Sequence, residues 1–141
     1  MSLQTTEDGR LRHLLTLEGL PRATLVALLD RAQAFIDGEG AADPRTALAG
    51  VAACTLFFEP STRTRLSFQR AAQRLGADVL AFDASTSSTS KGETALDTFR
   101  NIEAMGVRGF IVRHREDGAA AMLAASAQPG TAVINAGDGR S

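Results

Sequence analysis

Hydroxyl side chains and two arginines follow an apolar run in the segment FFEPSTRTR. Apolar residues return at helical spacing after it, so Ser61 or Thr62 stands at a helix start, with Arg63, Thr64 and Arg65 in the first turn. The first turn of a helix has unpaired N–H groups and a partial positive charge, and arginine there costs roughly a few tenths of a kcal/mol. A bound anion would reverse that cost, and N–H groups, hydroxyls and guanidinium groups together suit a phosphate-sized dianion.

Helix capping is the simpler explanation for the hydroxyls. Ser61 or Thr62 could cap the helix by accepting a hydrogen bond from an N–H group of its first turn, and for the hydroxyls alone this interpretation is favoured. It leaves Arg63 and Arg65 unexplained, because a helix N-terminus repels both guanidinium groups. The segment as a whole therefore predicts a local anion site.

Three later segments combine polar or basic residues with glycine, and each follows an apolar run: ASTSSTSKGE, RHREDG and NAGDGRS. Lys91 is the only charged residue from Ser85 to Lys91, and both a flexible linker and a cationic active-site lid fit the composition of this stretch. Arg113 and His114 end an apolar stretch, where they form either a solvated rim or a pair that polarises a carbonyl group. A metal-ligand role for His114 is disfavoured because no second histidine or cysteine lies at ligand spacing.

The apolar periodicity predicts strands that alternate with helices. Predicted helices cover residues 22–37, 62–75, 94–105 and 118–127, and predicted strands cover 51–58, 78–83, 109–114 and 131–136. This order is typical of right-handed crossovers, so we predict an α/β fold with a parallel sheet of at least four strands and helices on both faces. Loops that follow the carboxyl ends of parallel strands meet at one edge of the sheet, where ligands bind. The four polar segments are therefore expected to lie together.

Three details of the helices follow from the same patterns. Apolar residues recur every three or four positions in residues 22–37, so this helix is expected to bury one face. Thr94 and Asp97 resemble a capping pair at a helix start. Gly76 can adopt the left-handed conformation that ends a helix.

Composition limits the classes of function. The 141 residues suit one domain, the formal net charge is −1, and tryptophan and tyrosine are absent, so nucleic-acid binding is not expected. Cys54 is the only cysteine and lies in an apolar run, which predicts a buried thiol and excludes an intrachain disulfide. No secretory signal and no apolar stretch of about 20 residues occur, so a cytoplasmic protein outside the membrane is expected. The motifs of P-loop hydrolases, dinucleotide-binding proteins and α/β-hydrolases are absent as well.

Four motifs occur in the order and spacing of the aspartate and ornithine carbamoyltransferases: FFEPSTRTRLSF, SKGETALDT, IVRH and INAGDG. The chain resembles this family from Leu14 to its last residue, over the first of the family's two domains. KGET, the histidine of VRH and NAGDG resemble the aspartate branch. The resemblance implies transfer of the carbamoyl group of carbamoyl phosphate to the α-amine of L-aspartate, in pyrimidine biosynthesis. It implies no metal and no organic cofactor.

The resemblance also assigns residues to a carbamoyl-phosphate site. Ser61, Thr62, Arg63 and Thr64 would bind the phosphate, with Thr64 also reaching the carbonyl oxygen. Arg113 would contact the phosphate and the carbonyl group together. Arg63, Thr64 and Arg113 would then be the catalytic residues, because fixed cations and donors stabilise the developing oxyanion and the leaving phosphate without a covalent intermediate.

Two further residues point to a neighbouring subunit. Ser87 and Lys91 match loop residues that family members donate to the active site of the adjacent subunit. The resemblance therefore implies a homotrimer with shared sites, to which regulatory or dihydroorotase-like chains could bind.

The sequence departs from the family pattern at its end. Family members continue after NAGDG into an HPTQ motif and then an aspartate-binding domain, whereas this sequence stops at Ser141. We therefore expect residues 1–141 to be a carbamoyl-phosphate-binding domain, truncated before its end, that binds phosphate but is inactive alone. Two alternatives stay open: a non-catalytic phosphate-binding or assembly module derived from the family, and a carbamoyltransferase that acts on another amino acid.

Overall fold

Four parallel strands form one sheet in the computed structural model of the chain, which describes residues 2–38, 44–83 and 94–139. The strands are β1 (Ala52–Phe57), β2 (Asp78–Asp83), β3 (Val107–His114) and β4 (Ala132–Asp138). The α-helices are α1 (Arg22–Asp37), α2 (Thr62–Arg74), α3 (Ala95–Ala104) and α4 (Ala119–Ser126), and a 3₁₀ turn lies at Pro44–Thr46. Every predicted helix and strand is present, with ends that differ from the predicted ones by no more than two residues.

The order of the strands in the sheet is β2-β1-β3-β4, and each neighbouring pair is parallel. From β1 the chain passes through α2 to the β2 edge, crosses back through α3 to β3, and continues through α4 to β4. Right-handed crossovers place α2 on one face of the sheet and α3 and α4 on the other. The predicted α/β fold is confirmed. The chain reverses its direction of winding between β1 and β3, and the crevice at the carboxyl ends of such a pair is where doubly wound sheets bind ligands.

The main core lies between the sheet and the helices α3 and α4. Phe99 of α3 packs on Phe110 of β3 with ring centroids 4.4 Å apart, and Leu123 of α4 belongs to the same buried cluster. Residues 53–57 of β1 are all buried, as predicted for a strand covered on both faces. Cys54 in this strand is 1% exposed, and burial raises the pKa of its thiol to about 12. The prediction of a buried thiol is confirmed.

Two predicted helix ends are confirmed. The Oγ1 of Thr94 accepts a hydrogen bond from the N–H of Asp97 at 3.1 Å, which caps α3. Gly76 follows α2 with φ +90°, in the left-handed region. The carbonyl group of Arg45 lies where a side chain on residue 76 would begin, so this turn requires glycine for its space as well as for its conformation.

The prediction that α1 buries one face is wrong for the described residues. None of its side chains is buried, and Leu29 and Ile36 are 70% and 78% exposed. Phe35 and Ile36 line an open groove of about 840 Å³ against α2, together with Leu75. Helical periodicity identifies an apolar face but does not identify what packs against that face. No described element covers the apolar face of α1. None of the helices within the described ranges, α1 included, is long and apolar enough to cross a membrane.

Residues 2–20 form a strap along the β4 edge that the sequence patterns do not predict. The Leu14 N–H donates to the Val133 carbonyl at 2.9 Å, and the Asn135 N–H donates to the Leu14 carbonyl at 2.8 Å. The side chain of Gln4 accepts two N–H groups of the strap at 2.6 and 3.0 Å. The strap therefore satisfies backbone groups that an edge strand would otherwise leave unpaired.

His13 anchors the strap to β4 from a buried position. Its side chain is 1% exposed, and its Nδ1 accepts the Val133 N–H at 2.9 Å. Its Nε2 has no hydrogen-bond partner among the described residues. Burial, aided by the charge of Arg12, lowers the pKa of His13 from 6.5 to about 4. The neutral imidazole is therefore the form that holds the strap.

We expect the free energy of unfolding to fall by about 2 kcal/mol as the pH is lowered from about 7 to about 5. The pKa of His13 is 6.5 when unfolded and about 4 when folded, so between these values the unfolded state holds more protons and stability rises with pH. Urea unfolding of a His114→Gln variant, in which His13 is the only histidine, measures this loss. Adding His13→Gln supplies the control, and an equally steep dependence in that variant would refute the assignment.

Candidate functional site

Hydrogen bonds join the carboxyl ends of β1, β3 and β4. The Phe58 N–H, just beyond β1, donates to the Arg113 carbonyl at 2.8 Å. The Arg113 side chain extends the connection, because its Nη1 donates to the Ala136 carbonyl at 2.8 Å. The segments that follow three of the four strands therefore meet at one edge, as predicted.

The first turn of α2 presents N–H donors and arginine side chains, and the turn itself contains no acidic residue. Ser61 is the N-cap residue, but its side chain makes no capping hydrogen bond, and no acidic residue lies in the turn. The first helical hydrogen bond joins the Arg65 N–H to the Ser61 carbonyl at 3.0 Å, so the N–H groups of Thr62, Arg63 and Thr64 have no acceptor within the helix. The capping explanation therefore fails for Ser61. The turn is electrostatically suited to an anion.

Arg113 lies half-buried at the carboxyl end of β3, between Glu59, which follows β1, and Ala136 of β4. Its Nε lies 3.1 Å from the Glu59 Oε1, and both side chains are 30% exposed. The Nε–H does not point at that oxygen, since Nε has no hydrogen-bond partner among the described residues, and the pair is an electrostatic contact. Within the described ranges, only one of the five guanidinium N–H donors is hydrogen-bonded, the one directed at Ala136. Nε is buried beside Glu59, so the donors that could reach an anion are the remaining ones on the two terminal nitrogens.

A bulge in β4 lies against the side chain of Arg113. Two residues of β4, Ala136 and Gly137, lie opposite Arg113 alone on β3. Gly137 has φ +130°, and a Cβ built on it would lie 2.5 Å from the Arg113 Nη1. Glycine at this position therefore leaves the space in which the guanidinium group lies.

His114 contributes to the rim of the crevice. Its Nδ1 accepts the Glu116 N–H at 3.0 Å, and its ring lies 5.2 Å from the ring of Phe58. These contacts fit the rim interpretation better than that of a carbonyl-polarising group, because one ring nitrogen is already occupied by the backbone. Among the residues that the structure describes, no cluster of His, Cys, Asp or Glu side chains could hold a metal ion.

The predicted site residues divide into two sets. Those of the α2 start and Arg113 lie at the same edge of the sheet, in segments joined by the Phe58 hydrogen bond. Ser87 and Lys91 lie outside the described residues.

Sequence reasoning missed Glu59, Asn135 and Gly137. Glu59 lies within the quoted FFEPSTRTR motif, and its charge beside two arginines was a usable signal. NAGDG carried a signal too, because paired glycines at a strand end are typical of a bulge or a close approach of the backbone. Neither pattern alone says which side chain the backbone approaches.

Comparisons with known proteins show the family of the chain. Residues 12–141 match the family described as "Aspartate/ornithine carbamoyltransferase, carbamoyl-P binding domain". The chain is 71% identical over 141 residues to the aspartate carbamoyltransferase catalytic subunit of Xanthomonas campestris pv. campestris (strain B100), covering 99% of this chain and 45% of that protein.

Two solved structures are similar in fold. The catalytic subunit of M. jannaschii aspartate transcarbamoylase has a TM-score of 0.79 and 35% identity, over 92% of this chain and 42% of that one. The aspartate transcarbamoylase of Trypanosoma cruzi, solved in complex with carbamoyl phosphate and aspartate, has a TM-score of 0.71 and 32% identity, over 91% of this chain and 39% of that one.

The family match includes every part of the candidate site. The first turn of α2, Arg113 and the β4 bulge all lie within residues 12–141. The chain spans less than half the length of the relatives that it matches. It belongs to the aspartate/ornithine carbamoyltransferase family, and residues 12–141 match the carbamoyl-phosphate-binding domain of that family.

Proposed function

We propose that the chain is the carbamoyl-phosphate-binding part of an aspartate carbamoyltransferase of pyrimidine biosynthesis. In the whole enzyme, the α-amine of L-aspartate attacks the carbonyl carbon of carbamoyl phosphate and yields N-carbamoyl-L-aspartate and phosphate. The first turn of α2, rich in donors and without an acid, carries the phosphate-binding part of this proposal. The 71% identity to an aspartate carbamoyltransferase subunit favours aspartate over another amino acid.

In this proposal the α2 turn binds the phosphate and Arg113 spans the two reacting groups. Ser61, Thr62 and Arg63 hold the phosphate oxygens, and Thr64 also donates to the carbonyl oxygen. Arg113 contacts both groups with the donors that its contact with the β4 bulge leaves unused. Fixed donors then stabilise the negative charge that develops on the carbonyl oxygen and on the leaving phosphate. This electrostatic stabilisation lowers the activation barrier of the transfer.

The complete enzyme requires more than these residues. Since the chain spans 45% of the Xanthomonas subunit, we propose that the 141 residues alone bind phosphate and do not carry out the transfer. Ser87 and Lys91 would act in the site of a neighbouring subunit, in a cytoplasmic homotrimer. Turnover by the isolated chain at the rate of a whole enzyme would contradict the proposal that the 141 residues alone do not carry out the transfer.

Arg63→Ala should weaken the binding of inorganic phosphate about tenfold, because a charged donor at the helix start is lost. Calorimetric titration of the 141-residue chain measures the affinity. Arg74→Ala is the matched control, since Arg74 is an exposed arginine in the last turn of the same helix, and this variant should bind phosphate as the unmodified chain does.

The titration separates a phosphate site from a surface charge. Equal weakening in both variants would mean that Arg63 contributes only to the overall charge. If the unmodified chain binds no phosphate, the proposed function of this part fails, and a non-catalytic assembly module becomes the better explanation.

A further inference from the structure

Asn135 lies where the strap, the end of β4 and the bulge meet. Its Nδ2 donates to the Leu15 carbonyl at 3.0 Å and to the Asp138 Oδ1 at 3.1 Å. Its Oδ1 accepts the Gly137 N–H at 2.9 Å. Its own N–H donates to the Leu14 carbonyl at 2.8 Å. A single side chain thus ties the bulge to the strap on one side and to a carboxylate on the other.

Asp138 extends this connection to the next helix. Its side chain is buried, and its Oδ2 accepts the N–H of Gly118, the N-cap residue of α4, at 3.1 Å. Its other oxygen accepts the Nδ2 of Asn135. Both carboxylate oxygens are therefore hydrogen-bonded, as a buried charge requires. The bulge is fixed between the strap and the start of α4.

The peptide group between Ala136 and Gly137 links Asn135 to Arg113. Its N–H donates to the Oδ1 of Asn135, and its carbonyl accepts the Nη1 of Arg113 at 2.8 Å. Because the peptide group is planar, the direction of its N–H fixes the direction of its carbonyl. Asn135 therefore sets the acceptor on which the guanidinium group of Arg113 rests.

The geometry points to Asn135 as a positioning residue of the anion site. It orients the 136–137 peptide and, through that peptide, the Arg113 guanidinium group, without touching the ligand itself. This inference rests on the proposed function, because only there is Arg113 assigned to the phosphate. The inference also gives the strap a role, since the Leu15 carbonyl accepts a hydrogen bond from the side-chain amide of Asn135 and helps to hold that side chain in place.

The test is Asn135→Ala, with the Arg113 Nε–H signal in ¹H–¹⁵N spectra and the affinity for inorganic phosphate as readouts. We expect the Nε–H signal to shift or broaden even without phosphate, and the phosphate affinity to fall about five- to tenfold. Arg12→Ala is the matched control. It removes contacts of the strap with the carbonyls of Ala127 and Gln128, away from the bulge, and should change neither readout.

A second variant covers the case in which Asn135→Ala does not fold. Asn135→Ser keeps an acceptor for the Gly137 N–H, because a serine hydroxyl can form the same turn, but its single donor cannot serve both Leu15 and Asp138, so the Arg113 signal should change less and in the same direction. An unchanged Arg113 signal in the folded Asn135 variants, or an equal change in Arg12→Ala, would overturn the inference. If phosphate does not bind the unmodified chain, the proposed function fails while the Arg113 signal still decides whether Asn135 positions that side chain.

Discussion

Replacing Gly76 by alanine should lower the free energy of unfolding by about 3 kcal/mol or more. Two costs add at this position. The residue has φ +90°, which is unfavourable for any residue with a Cβ, and the Cβ itself would meet the carbonyl group of Arg45, whose carbon would lie 3.1 Å away. That carbonyl belongs to the backbone and cannot move aside as a flexible side chain does. Its segment is also tied to the turn by the hydrogen bond from the Leu48 N–H to the Leu75 carbonyl at 2.8 Å.

Gly106 provides the matched control, because it separates the two costs. It follows α3 with φ +97°, but no atom lies within 4 Å of a Cβ built on it. Gly106→Ala should therefore cost about 1–2 kcal/mol, the price of the backbone conformation alone. Urea unfolding of both variants measures the difference. If Gly76→Ala is no more destabilising than Gly106→Ala, then the 3₁₀ segment does not pack against the α2–β2 turn in solution.

The elements of the fold were predictable because they depend on local patterns. The bounds of α1 and β2 agree with the prediction at every residue, since periodicity and flanking glycine act over a few positions. The covering of α1 was not predictable, because an apolar face is a local property whereas its partner is not. The strap was missed for a related reason: its hydrogen bonds to β4 join residues about 120 positions apart and leave no period in the sequence.

In the candidate site, too, the features that depend on local patterns were predictable and those that depend on distant contacts were not. The donor-rich start of α2 was predictable, because the misplaced charge of Arg63 is visible within one helical turn. The position of Arg113 was not, because it depends on a peptide group 23 residues further along the chain and on Asn135, which orients that group. The glycines of NAGDG indicated an unusual backbone but could not say what it contacts. The family resemblance named Arg113, and the structure explains why the side chain is held there.

Arg113→Ala should reduce the affinity for inorganic phosphate by on the order of 100-fold, more than any other single change at this edge. Ala136 and Glu59 hold the guanidinium group at the carboxyl end of β3, so its donors are already oriented before an anion arrives. Arg113→Lys should not restore binding, because one ammonium group cannot donate to the Ala136 carbonyl and offer a planar set of donors to phosphate at once. Calorimetric titration of both variants measures the loss.

Arg108 is the matched control on the same strand. It lies at the opposite end of β3, where its Nη1 donates to the carbonyls of Glu103 and Val107 at 3.0 Å each. Arg108→Ala removes the same charge from the chain, so a long-range electrostatic effect would weaken phosphate binding in both variants. A direct contact predicts a loss in the Arg113 variants alone. Equal losses, or full binding by Arg113→Lys, would mean that the anion is held by the α2 turn and net charge, with Arg113 serving only to join β3 to β4.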